Sequence, residues 1–410
     1  LSTIYKTVQG DTFESVARKQ YGDESQSFVV ASANPGVIED SLLAGTTLII
    51  PNLPTTPQNL PQLAPSNSID EVSMLIDGKR FRFWDSISLK SSLDSMSTVS
   101  FGAPFEPDLP GFKDAFRPFK YRELIVNIGG LPAFTGTMIS SPPTAESNKS
   151  TVAVSGYSKP GVLNDCMASS KSYPLEFNGQ DLTAITSQLI LPFGLSAVFN
   201  YTAGSVFEQV ANDPAGKILS FLTGLAKQRN LVIRDNEKGQ IVYDRSLTNG
   251  VPVANLSQGV SPLESVVPSF SPQDYYSHVT GIEPSDSGIE GDSYTVKNPN
   301  LDVFRPFTFK VDDTNGGDLK SAVEAKAGRM FANAAAYRIK VATWRDSNGE
   351  LWKPNTFVQL LAPNAMIYTA YKFIIRSVQL DATPTARTAT LELIIPGTFS
   401  GVIPSTLPWD

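Results

Sequence analysis

Hydrophobic positions change period several times along the chain, and each change marks an element. Ile4 to Val8 reads as a short strand, and Gly10-Asp11-Thr12 turns the chain after it. Phe13, Val16, Ala17 and Tyr21 then recur at helical spacing. Asp11 or Thr12 can cap that helix, and Asp11 with Glu14 has capping-box spacing. Gly22-Asp23 ends it. A second helix over about 25–33 is broken by Asn34-Pro35-Gly36, and Thr47 to Ile50 is a closing strand stopped by Pro51. Residues 1–52 are thus expected to form a strand-helix-helix-strand domain. Residues 53–69 carry no charge, and prolines fall at Pro54, Pro57, Pro61 and Pro65. Such a linker favours extended chain at about 3.1 Å per residue.

Residues 70–156 return to period two. Val72 to Ile76, the Asp77-Gly78 turn and Lys79 to Trp84 read as a hairpin, with Phe81, Phe83, Ile87 and Leu89 along one continuing strand. Leu124 to Ile128, Gly129-Gly130 and Phe134 to Ile139 form a second hairpin, and Thr151 to Ser155 a further strand. Residues 157–247 are mixed. Leu182, Ile185 and Leu189 share a helix face, Asp213-Pro214 caps a helix with Leu219, Leu222 and Leu225, and Leu231 to Tyr243 is a hairpin around Lys238-Gly239. Residues 248–410 are mostly strands, with one long helix over about 318–338 and an acidic loop over about 283–300.

Composition narrows the class. In 410 residues, 41% are hydrophobic and only 18% charged, so a large core is affordable and global disorder is excluded. The length suggests two to four domains at about 150 residues each. Thirty prolines and 29 glycines suit a turn-rich, strand-rich protein. A net charge of −7 without a long basic block argues against gripping nucleic acid by its phosphates. One cysteine, Cys166, excludes an internal disulfide, and one histidine, His278, excludes two-histidine zinc motifs. No apolar run approaches the roughly 20 residues that span a bilayer, and the first residues lack a signal-peptide pattern.

The first module resembles a LysM domain over YKTVQGDTFESVARKQYGD, ANP and LLAGTTLIIPN. That resemblance implies a glycan groove, commonly for peptidoglycan. It would lie between Gly10, Asp11, Thr12 and Phe13 on one side and Asn34, Pro35, Gly36, Val37 and Ile38 on the other. The same residues are the turns and caps that so small a fold needs, which leaves glycan binding and architectural docking both open.

From about 70 to 399 the chain resembles the baseplate hub proteins of contractile-tailed, Mu-like bacteriophages. The resemblance is carried in order by FRPFKYRELIVNIGGLPAFTGTM, GYSKPGVLNDCMASS, FNGQDLTAITSQLILPFGL, AKQRNLVIRDNEKGQIVYDR, WRDSNGELWKPNTFVQLLAP and TATLELIIPGTF. It implies an α+β, mainly β fold: two tail-tube-like β-barrel domains at 70–156 and 248–410 and a small α/β domain at 157–247. It also implies a homotrimeric ring in the virion's tail baseplate, made in the host bacterial cytoplasm. The ring would adapt a six-fold tail tube or tube initiator above to a three-fold tail spike below, beside baseplate wedge proteins, and DNA would pass its lumen without specific binding. The rival class is a peptidoglycan-targeted, LysM-anchored binding protein or hydrolase.

Catalytic chemistry finds little footing. Cys166 and His278 are the only thiol–imidazole pair, and a buried structural cysteine accounts for the first as well. Asp313 to Glu324 has the length of a calcium loop but Asp318 where glycine is needed, and a helix-capping turn explains it. Lys79, Arg80 and Arg82 interleave with Phe81, Phe83 and Trp84, as strand alternation also requires. FRPF occurs at Phe116–Phe119 and again at Phe304–Phe307, too short a match to argue duplication. The expectation is a structural protein with no catalytic residue, cofactor or metal.

Overall fold

Thr12, rather than Asp11, starts the first helix. Its hydroxyl accepts from the Ser15 N–H, and the Ser15 hydroxyl accepts from the Thr12 N–H, so the capping box is Thr12–Ser15 and not Asp11–Glu14. The computed structural model describes residues 3–34, 37, 42–51, 69–81, 83–106, 108, 111–146, 150–283, 291–311 and 319–410. The expected linker lies outside these except for Ile69. The first module runs β1 (Thr3–Lys6), α1 (Phe13–Tyr21), α2 (Ser27–Ala33) and β2 (Thr47–Ile50). The two strands are antiparallel, with Ile4 opposite Ile49. The helices close a core of Phe13, Val16, Ala17, Val30, Leu48 and Ile50.

The next segment contains β3 (Val72–Ile76), β4 (Lys79–Phe81), β5 (Ser86–Ser92), β6 (Thr98–Pro104), α3 (Phe112–Ala115), β7 (Glu123–Ile128), β8 (Leu131–Ser140), β9 (Pro143–Ala145) and β10 (Ser150–Ser158). Asp77 and Gly78 both take positive φ, 47° and 77°, the backbone that a two-residue hairpin turn matches to strand twist. The strand expected to continue through Phe83 is interrupted between Phe81 and Ser86.

The small module contains α4 (Leu182–Ile190), β11 (Ala197–Phe199), α5 (Ile218–Gln228), β12 (Val232–Asp235) and β13 (Ile241–Asp244). Its sheet order is β11-β13-β12. Leu182, Ile185 and Leu189 of α4 meet Leu222 and Leu225 of α5 in its core. Asp181 caps α4 through the Ala184 N–H at 2.8 Å. Asp213 does not cap α5. It accepts from the Ala215 N–H in a turn, and α5 starts after Lys217.

The last segment contains β14 (Pro252–Ser257), β15 (Leu263–Phe270), β16 (His278–Ile282), β17 (Ser293–Lys297), β18 (Pro306–Lys310), α6 (Leu319–Ala334), β19 (Ala335–Val341), β20 (Phe357–Ala362), β21 (Ile367–Ala382) and β22 (Arg387–Ile394). Helix α6 stops at Ala334, short of the expected 338. The chain then enters β19 directly, because β15 and β22 offer backbone partners along both its edges. Strands β16, β17 and β18 form a separate sheet on α6, around Val279, Val311, Val323 and Ala327. Helix α6 lies so close to the turn at 398–401 that a Cβ on Gly328 would sit 1.7 Å from the Thr398 carbonyl oxygen.

The two closed barrels expected at 70–156 and 248–410 do not form. One 14-stranded sheet runs β15-β19-β22-β21-β5-β6-β10-β8-β7-β3-β4, with β14, β20 and β9 branching from it. Closure of a segment into a barrel would require its terminal strands to pair with each other. Instead β5, at the end of the first segment's strands, pairs with β21 of the last, from Ser92↔Ser377 to Ile87↔Ala382. The fold is mixed, mainly β, and open. A single core runs under both segments, from Phe81, Phe101 and Phe134 to Tyr337, Phe373 and Leu391.

Strand β21 uses one edge twice. Residues 367–374 pair with β20 and residues 377–382 with β5, while β22 takes the other edge. Arg376 sits at the changeover, where the β22 register shifts. Its carbonyl accepts from Leu93 N–H at 2.8 Å. Its guanidinium pairs with Asp94 at 2.9 Å and Glu392 at 3.3 Å, one carboxylate from each segment. Burial opposes the Arg376 charge, but the two carboxylates outweigh it and raise its pKa. Arg376→Ala should therefore cost roughly 1–3 kcal/mol by leaving two half-buried carboxylates without their cation. Denaturant unfolding of Arg376→Ala, Asp94→Asn and the double variant checks this. Losses that merely add would show that Arg376 does not couple the two segments.

Candidate functional site

The expected groove residues divide sharply in what they do. Asp11 is buried, and its carboxylate accepts from the Val8 N–H at 2.8 Å, from the Tyr5 hydroxyl at 2.9 Å and from Lys19. Burial by itself would raise this carboxyl, but Lys19, the Val8 N–H and the Tyr5 hydroxyl outweigh burial and hold it down at about 2. Gly10 supplies the positive φ of 88° that the turn needs. Thr12 is the helix cap, and Phe13 is in the core. Asn34 is buried. Its amide donates to the Val30 and Ile49 carbonyls at 2.7 and 2.9 Å, and its oxygen accepts from the Ile49 N–H at 2.7 Å, tying α2 to β2. Val37 is half-buried against the same core. Pro35, Gly36 and Ile38 lie outside the described residues. The side chains of Asp11, Thr12, Phe13 and Asn34 are thus engaged inside the module. Its outer face shows the paired Ile4 and Ile49 instead, with Val8 and Leu43 also exposed.

A second surface went unread in the sequence. The loop from Arg117 to Arg122, between α3 and β7, stands over the end of β8 and borders a groove of about 220 Å³. Met138 and Ile139 lie on its β8 side, and the loop contributes Arg117, Phe119, Lys120 and Tyr121. Phe119 and Tyr121 are 88% and 62% exposed. The available signal was the FRPF stretch, where Phe116 enters the core and Phe119 leaves it. At the second FRPF the roles differ: Phe304 is exposed and Phe307 half-buried.

The chemical candidates do not converge. Cys166 is half-buried in the small module, where its N–H donates to the Val162 carbonyl. His278 is on β16; its Nδ1 shares a hydrogen bond with the Ser277 hydroxyl at 2.9 Å, and its ring meets Phe304 at 5.5 Å. Residues 312–318, which include the start of the loop compared with a calcium site, lie outside the described residues. Among the described residues no group of three His, Cys, Asp or Glu side chains is placed to hold a metal ion. In β4, Lys79 and Arg80 point to solvent while Phe81 turns into the core; Arg82 lies outside the described residues.

Three stretches match family models. Residues 160–245 match "Baseplate hub protein gp44-like, second domain", residues 318–401 match "Mu phage baseplate assembly protein GpP, fourth domain", and residues 3–59 match "Phage Tail Protein X". The first module, expected to be a LysM domain, is therefore matched by a tail-protein model, and nothing in the comparisons supports the LysM name. Baseplate hub protein gp44 of Escherichia phage Mu is 23% identical over 315 residues, 73% of this chain and 80% of that protein. The 43 kDa tail protein of prophage MuSo2 from Shewanella oneidensis has the same fold, with a TM-score of 0.68 and 22% identity over 80% of this chain and 98% of that one. A tail protein from Neisseria meningitidis MC58 is similar at TM-score 0.68 and 19% identity, over the same shares of the two chains.

The Asp11 carboxyl yields a pH prediction. Held below its ordinary 3.8, it stabilises the first module above that value, and the contribution is lost as pH falls through about 2. Opening free energies for residues 13–33, measured by hydrogen exchange in the full chain, should fall between pH 4 and 2. Asp11→Asn should lower them at pH 7 and flatten that dependence. An unchanged profile in the variant would mean that the carboxylate does not anchor the module.

Proposed function

The chain is a baseplate-hub-like phage tail protein related to the Mu phage hub gp44, and from that premise we propose that three copies form a ring joining the six-fold tail tube to the three-fold spike. Its role is structural rather than enzymatic, and it belongs to the tail baseplate of the virion after synthesis in the host cytoplasm. The observation that carries the ring reading is the continuous sheet. Each chain holds two β-rich segments rigidly on one set of backbone ladders, so three chains would present six β-rich segments to a tube and a three-fold outline to a spike. The tube or its initiator would sit above, the spike below and wedge proteins outside. A trimer carries three times the −7 of one chain, which suits a lumen through which DNA slides without adhering.

The first module fits this reading as a docking element on a baseplate neighbour. The polar side chains that would read a glycan are spent inside its fold, and Ile4 and Ile49 lie side by side on its outer face. Neither peptidoglycan binding nor hydrolysis gains support from the site geometry.

Purified tails analysed by cryo-electron microscopy should contain three copies of the chain per tail, at the baseplate, between tube and spike. A copy number of one or six, or a position along the tube, would defeat the ring reading. Full-length chain should not sediment with purified peptidoglycan, and saturable co-sedimentation would return the glycan reading for the first module.

A further inference from the structure

The loop over the groove pays for its shape in backbone strain. Phe119 and Tyr121 both take left-handed φ, 60° and 48°, a region that bulky non-glycine residues rarely enter. Such conformations persist only where the surroundings impose them. Here both ends of the loop are clamped: Arg122 pairs with Asp77 and Asp114, and the Ser141 hydroxyl donates to the Phe116 carbonyl at 3.0 Å. The result is two aromatic rings held out in water beside Arg117 and Lys120, whose side chains are exposed and have no ion pair among the described residues. Exposed aromatic side chains with arginine are the composition of an interface centre rather than of ordinary surface.

The rest of the chain indicates the occupant. In an acidic protein this groove is a local basic surface, so it calls for an acidic partner. From Glu283 to Asp292 the sequence has four carboxylates and no lysine or arginine. Glu283 and Asp292 follow and precede β16 and β17, and the Glu283 N–H donates to the Asp292 carbonyl at 2.9 Å. That hairpin stands on α6, which leads into β19 beside the terminal strand β15. The groove lies at the end of β8, whose neighbour β7 is followed in the strand order by β3 and the opposite terminal strand β4. Groove and hairpin therefore lie toward opposite ends of the strand order, as a head-to-tail contact between copies requires.

We infer that the basic, aromatic groove formed by Arg117–Arg122 and the end of β8 receives the acidic β16–β17 hairpin of a second copy of this chain. Opposite charges set the direction of the contact, and Phe119 and Tyr121 lose water on closure. The inference rests on the ring reading and names the contact that would repeat around it.

The test uses the full chain. Arg117→Glu with Lys120→Glu should weaken self-association at least tenfold in sedimentation velocity, as should Glu283→Lys with Asp292→Lys. Combining the four changes should restore it, since the charges are exchanged. Phe119→Ala should weaken it without altering the salt dependence. In a Cys166→Ser background, Lys120→Cys with Glu283→Cys should give covalent dimers and trimers on oxidation. If the wild type forms trimers that the charge exchanges and the cysteine pair leave untouched, the ring stands and this contact is wrong. A wild type that stays monomeric at every concentration also overturns the contact, and the copy number in purified tails then decides the ring separately. Loss of association in each pair without rescue, together with absent cross-links, would overturn the pairing of this groove with the β16–β17 hairpin.

Discussion

A β-strand has two edges, and the architecture depends on β21 dividing one of them between two partners. Its first half is held by β20 and its second by β5, from a segment nearly 300 residues earlier in the chain, about as far apart as Leu93 and Arg376, whose backbones are hydrogen-bonded. Once β5 is committed to β21 it is not free to close on β4. The first segment therefore stays open, and both segments share one core. Arg376 marks the changeover, and its side chain bridges the same two segments that its carbonyl bridges. The consequence for a tail protein is stiffness: two halves joined by ladder hydrogen bonds cannot hinge as two domains joined by a linker can.

The first module shows how a small fold consumes its polar side chains. Fifty residues bury little apolar surface, so specific hydrogen bonds carry more of the definition. Asp11 gathers a hydroxyl, a backbone N–H and an ammonium, and Asn34 makes three bonds to the backbone. These are the residue types that also recognise sugars, and nothing in their identity distinguishes the two uses. What distinguishes them is direction, and both point inward.

The surface that remains available is of a different kind. Loop 117–122 spends backbone strain to keep two rings in water, and the clamps at Arg122 and Ser141 absorb that cost. A strained, exposed, aromatic loop is stable in isolation only because its ends are fixed, and it gains on being covered. Its position in the strand order, away from the acidic hairpin on α6, gives the sheet two unlike ends.

The sequence by itself determined which faces are buried and where most elements lie. Period two along Val72–Ile76 and Leu124–Ile128, the Asp77-Gly78 turn, and the apolar stripe of α4 were all legible, because side-chain chemistry imposes them locally. It overran at α6, where helical spacing continues to Tyr337 but two neighbouring strands claim the backbone from Ala335. It could not say which edge each strand would meet. Backbone N–H and C=O groups are the same in every residue but proline, so the alternation that buries one face of β5 fits a closed barrel and an open sheet equally well. Only the tertiary structure decided that β5 joins β21, that Asn34 ties α2 to β2 and that Phe119 faces out, because each of these depends on separate elements of the chain arriving at the same place.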